Sequence, residues 1–94
     1  MPQPTKKYRV LFVDDEPRVT NALKAMFRRD YDVHLANSGD EALALLQHTP
    51  IDVLVSDQRM PGMLGSELLA KVSQHYPSTT VSYTHLRAHE TLAY

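Results

Sequence analysis

The sequence predicts an α/β domain built as a doubly wound parallel sheet, and three observations predict it. Short apolar runs suited to strands alternate with segments of helical periodicity, in the order β-α-β-α-β-α. The connections are only a few residues long, as between successive β/α units, and right-handed crossovers place helices on both faces. At 94 residues the chain has room for one domain and not for a second.

Residues 1–7 (MPQPTKK) read as a flexible lead-in, since two prolines and two lysines surround no apolar anchor. Residues 8–13 (YRVLFV) are nearly continuously apolar, the pattern of a parallel strand covered on both faces, and the run stops at Asp14, Asp15 and Glu16. Pro17 suits the first turn of a helix, where a missing N–H costs nothing, and the acids before it favour the positive end of the dipole. Val19, Ala22, Leu23, Met26 and Phe27 then recur as one apolar stripe. Residues 30–36 alternate Tyr31, Val33 and Leu35 with Asp32 and His34, a strand with one face less buried and therefore near a sheet edge.

Ser38-Gly39-Asp40-Glu41 carries a capping-box signature, with the Ser38 hydroxyl accepting from the Glu41 amide and the Glu41 carboxylate reaching back. Ala42, Leu45 and Leu46 form the buried face of the helix it starts, which ends near His48, before Pro50. Residues 51–55 (IDVLV) read as a central strand ending at Ser56-Asp57. A loop with Pro61 and Gly62 follows, and Gly65, Leu68, Leu69, Val72 and Tyr76 mark a third helix running to Pro77. Residues 80–83 fit a fourth strand.

Composition narrows the function. Lys+Arg 10 against Asp+Glu 11 leaves a net charge of -1, so no positive field favours direct binding of nucleic acid. The absence of cysteine removes disulfide scaffolds, thiol nucleophiles and thiolate metal sites. Neither a signal peptide nor a membrane span is recognisable, so a cytoplasmic protein is expected.

The chemistry lies in the acids. Asp14 and Asp15 follow the first strand and Asp57 the third, and in a parallel sheet ligands collect beyond the carboxyl ends of the strands. Converging carboxylates destabilise one another unless a cation compensates, and few protein ligands suit Mg²⁺, which keeps waters and leaves room for a phosphoryl oxygen. Taken singly, Asp14-Asp15-Glu16 is equally well explained as helix capping, and Asp57 as a loop opener. Their joint placement at neighbouring strand ends favours function.

Three motifs, VLFVDDEP (10–17), SGDEALALL (38–46) and DVLVSDQRMPGMLGSELL (52–69), resemble the receiver domain of bacterial two-component response regulators, a flavodoxin-like fold. The resemblance extends over about residues 7–80. It implies a phosphoacceptor receiver, not an enzyme, in which Asp57 takes a phosphoryl group from a histidine kinase or phosphotransfer protein. It further implies Mg²⁺ held by Asp14, Asp15, Asp57 and the backbone carbonyl of Arg59, and an output domain in the full-length protein. Thr84 falls near the position of the family's phosphoryl-binding hydroxyl, while Lys6, Lys7, Lys24 and Lys71 all lie away from that of its lysine.

Met60 and Pro61 shape the loop after the nucleophile, and Gly65 either removes a side chain near the crevice or eases the helix start. The receiver pattern is expected to occupy residues 8–80 and to be incomplete at the C-terminus. Residues 81–94 (VSYTHLRAHETLAY) read as a tail of foreign origin, in which His85 and His89, four apart with Glu90 next, have the spacing of metal ligands but no third ligand at a defined place. Two other functions compete: an Mg²⁺-dependent phosphatase with an aspartate nucleophile, and a receiver-like module that only docks proteins. The phosphatase would need its nucleophile and general acid two residues apart as D-x-D after the first strand, whereas Asp14 and Asp15 are adjacent and the next acid is Glu16.

Overall fold

The computed structural model describes residues 7–84, with Thr84 described by its backbone alone. Its elements are β1 (Arg9–Val13), α1 (Pro17–Phe27), β2 (Asp32–Ala36), α2 (Gly39–Leu46), β3 (Val53–Asp57), α3 (Gly65–His75) and β4 (Thr80–Thr84). The strands form one parallel sheet in the order β2-β1-β3-β4. The chain thus builds outward from β1 to β2 and returns past it to lay down β3, which makes β1 and β3 neighbours and leaves β2 at an edge. This is the flavodoxin-like arrangement expected. No helix among the described residues is long and apolar enough to cross a membrane. The histidines and the glutamate of the tail lie outside the described residues.

Each face of the sheet carries its own apolar layer, which is why β1 is apolar without alternation. Leu11 and Val13 point to the layer shared with Ala42 and Leu46 of α2 and Leu68 and Val72 of α3. Val10 and Phe12 point the other way, toward Leu23 and Phe27 of α1, and the Phe12 and Phe27 rings stack at 5.6 Å between centroids. Leu54 is fully enclosed on the first of these faces.

Several local expectations shift. The α1 stripe is narrower than its periodicity predicts: Met26 is 67% exposed and Ala22 is exposed, while Thr20 is buried. The physical reason is that α1 packs over β1 and β2 only, so a residue turned away from those strands meets solvent. For the same reason Val53 and Val55 of β3 are only half-buried on that side. Ile51 and Asp52 precede β3, and Ser56 and Asp57 belong to it.

Helix α2 ends at Leu46, although His48 and Thr49 still donate to the Leu45 carbonyl and tighten the exit. Ser38 Oγ accepts from Glu41 N at 3.0 Å as expected, but the Glu41 carboxylate accepts from Asn37 N at 2.7 Å, one residue earlier than a capping box requires. Helix α3 stops at His75, and Tyr76 donates its amide to Val72 O as the helix closes.

Candidate functional site

Two neighbouring strands deliver the acids. The register pairs Val13 with Ser56, so the residues that follow, Asp14 and Asp57, leave the sheet side by side. One carboxylate oxygen from each of Asp14, Asp15 and Asp57 lies within 4.8 Å of the other two. Their environments differ: Asp14 is buried, Asp57 half-buried and Asp15 exposed. Burial raises the pKa of Asp14 above its ordinary value, the hydrogen bond from Glu16 N lowers it, and the charges of Asp57 and Asp15 raise it further.

The loop after β1 is held from three directions. Asp14 donates its amide to Ala36 O at 3.1 Å, and its Oδ1 accepts from Glu16 N at 2.9 Å. Asn37 Nδ2 donates to Asp14 O at 2.8 Å and to Thr20 Oγ1 at 3.1 Å, while that hydroxyl donates to Pro17 O at 3.1 Å. Glu16 itself makes no side-chain cap, so the capping explanation of the acidic run falls short: Asp14 closes the turn with Oδ1, and the Asp15 side chain turns to Asp14 and not to the helix start.

On the β3 side, Gly65 settles between its two readings. A Cβ there would stand 2.4 Å from Asp57 O and 2.9 Å from Gln58 Cα, so the start of α3 presses directly on the backbone of the acidic residue. Its amide donates to Gln58 O at 2.9 Å and closes the intervening loop. Within that loop Met60 is buried in the core and Pro61 is exposed, while Arg59 is exposed and carries its carbonyl in the segment directly after Asp57. A second close approach, Gly39 beneath Met63, seats the same loop against the start of α2.

Register also places the backbone of Thr84 opposite Asp57. Its side chain lies outside the described residues. Lys7 and Lys24 lie at the other end of the sheet, and Lys71 stands on α3 beside His75. Asn37 and Thr20 went unnoticed in the sequence. An asparagine directly after a strand, ahead of a capping serine, is the signal that could have found the first, since asparagine at such a position bonds nearby backbone.

The donor set fits a small divalent cation. Three carboxylate oxygens within 4.8 Å of one another are close enough to share one small oxygen-liganded ion. Burial and then the neighbouring charges of Asp57 and Asp15 both disfavour the ionised form of Asp14, and a bound cation would offset both.

Comparison with known proteins places this geometry in a class. The chain belongs to the response regulator receiver domain family, which matches residues 10–93. It is 43% identical over 72 residues to the hydrogenase transcriptional regulatory protein HoxA of Cupriavidus necator, covering 77% of this chain and 15% of that protein. It is 38% identical over 66 residues to the sensor histidine kinase TmoS of Ectopseudomonas mendocina, covering 70% of this chain and 7% of that one. The chain therefore spans a small part of these curated relatives. Among solved structures, the response regulator protein TrrA of Thermotoga maritima, in complex with Mg(2+)-BeF, superposes with a TM-score of 0.79 at 28% identity, over 87% of this chain and 72% of that one.

Proposed function

We propose that this receiver domain is a phosphoacceptor in a cytoplasmic phosphorelay, with Asp57 as the residue modified. The observation that carries the reading is the convergence of Asp14, Asp15 and Asp57 at the carboxyl ends of two adjacent parallel strands. An Asp57 carboxylate oxygen attacks the phosphorus of a phosphohistidine. The P–N bond breaks, its electron pair stays with the imidazole, and an acyl phosphate forms. Mg²⁺, the ion named in the TrrA complex, would supply charge neutralisation for the transferring group.

Asp14, Asp15, Asp57 and the Arg59 carbonyl would hold that ion, Asp14 being fixed by its bond from Glu16 N and by the Asn37 anchor on its carbonyl. Gly65 lets the backbone after Asp57 lie tight against α3, so the nucleophile keeps one position. The domain acts as the substrate of a partner and turns over nothing itself, so it is not an enzyme in its own right. A histidine kinase or phosphotransfer protein is the donor. The names of HoxA and TmoS support two contexts for such a domain, a transcriptional regulator with an output domain or a sensor kinase.

The test is intact-mass spectrometry after incubation with acetyl phosphate and Mg²⁺. The expected result is one phosphoryl increment, lost in Asp57→Asn and kept in Asp52→Asn. Asp52 is the control because it sits just before the opposite end of that strand, where it accepts from Arg9 N at 2.8 Å. Label that persists without Asp57, or no label on the parent chain, refutes the reading.

A further inference from the structure

A second charged feature lies at the other end of the sheet. Lys7 and Arg9 at the start of β1, Lys24 and Arg28 at the end of α1, and Tyr31 and Asp32 leading into β2 line a cavity of about 460 Å³. That is well above the size of a single inorganic anion and within the range of small-molecule sites.

The cations there are unevenly spoken for. Arg9 is paired with Asp52 at 3.8 Å, and Asp32 lies 3.5 Å from His34. Among the described residues, no carboxylate lies within 4.0 Å of Lys7, Lys24 or Arg28. The ordinary explanation for bases in this place is the negative end of a helix, which α1 presents here. Lys7 already answers it by donating from Nζ to Arg28 O at 3.3 Å. A helix end carries only about half a charge, so the helix and Asp32 together leave a surplus of roughly one and a half positive charges. The Tyr31 ring meets Phe27 edge-on at 6.1 Å, is 37% exposed and lines the same cavity as the cations.

We propose that this cleft binds a phosphate-rich anion of nucleotide size, a nucleoside triphosphate, with its phosphates on Lys7, Lys24 and Arg28 and its base against Tyr31. Arg28, the residue that caps α1, follows Lys24 by one helical turn and lines the same cavity, so both charges can serve one group. Guanidinium and ammonium groups suit phosphate, and an aromatic face suits any base. The site is separate from the acids and needs no divalent ion.

Amide chemical shifts of the 94-residue chain, titrated in EDTA with ATP, tripolyphosphate or adenosine, test it. Saturable shifts are expected around Lys7, Arg28 and Tyr31 with ATP, weaker binding of tripolyphosphate, and none of adenosine. Lys24→Ala should weaken ATP binding about tenfold, while Lys71→Ala, the same change of charge on α3, should leave it unchanged. Equal losses in both variants would reduce the effect to general electrostatics and overturn the site, as would shifts that never saturate. Tripolyphosphate binding as tightly as ATP, with Tyr31→Leu having no effect on either, would overturn the assignment of a nucleoside.

Discussion

Replacing Gly65 with alanine tests how the nucleophile is held. The new Cβ would lie 2.4 Å from Asp57 O, against an ordinary C···O contact of about 3.3 Å, so the junction between β3 and α3 must open by about 0.9 Å. The opposing atoms are backbone, and no side chain can swing aside to absorb the shift. Overpacking of this kind costs about 1–3 kcal/mol, and the better helix propensity of alanine offsets about 0.5–1 kcal/mol. A net loss of about 1–2 kcal/mol follows. The displacement also exceeds the tolerance of about 0.5 Å for a preorganised site, so Mg²⁺ affinity should fall about 10- to 100-fold.

Gly62→Ala is the matched control. At φ 86 with nothing within 4 Å, it strains its own backbone at a cost of about 1–2 kcal/mol and pushes on no neighbour. Urea unfolding followed by circular dichroism measures the first quantity, and Mg²⁺ titration by amide shifts the second. The two variants should be similarly destabilised, with Mg²⁺ affinity lost in Gly65→Ala alone. A Gly65→Ala variant as stable as the parent and with unchanged Mg²⁺ affinity would refute the close-approach argument.

Three further outcomes are expected. Because the folded pKa of Asp14 is raised, its contribution favours folding fully below the ordinary carboxylate pKa and is lost as pH rises through the folded value. Asp14→Asn should therefore be more stable than the parent at neutral pH without divalent ions, yet gain nothing from Mg²⁺, as thermal melts with and without the ion would record. Asn37→Ala leaves Thr20 Oγ1 and Asp14 O without their donor and should cost about 1–3 kcal/mol in urea unfolding. Asp15→Asn should weaken Mg²⁺ binding more than Glu16→Gln, and equal losses by calorimetric titration would count against the three-carboxylate centre.

Much of this was legible because the fold writes itself into β1 and β3. Residues 10–13 are apolar without alternation since both faces of β1 are covered, and the acids that follow each strand mark its carboxyl end. Periodicity identified α1 but overstated its buried width at Ala22 and Met26, because it reports which residues share a face and is silent on how far the neighbouring layer extends. The supports of the site were the hardest to read. Asn37 and Thr20 act through hydrogen bonds between segments distant in sequence, and a local pattern that flags the asparagine is silent on the partners it meets. Glu41 shows the same limit on a smaller scale, since its motif predicts a reach back toward the helix start but not which amide it finds.

The pairing of Val13 with Ser56 has a consequence for how errors would spread. A slip of β3 by one residue against β1 would carry Asp57 about 3.3 Å along the strand and turn its side chain to the opposite face. The same slip would drive Leu54, now wholly enclosed, out of its layer and bring the half-buried Val53 and Val55 into it. A misaligned ion site thus cannot arise quietly in an otherwise sound molecule, because the defect that spoils the site also spoils the interior. The precision of the three acids at the strand ends is insured by residues that never meet solvent.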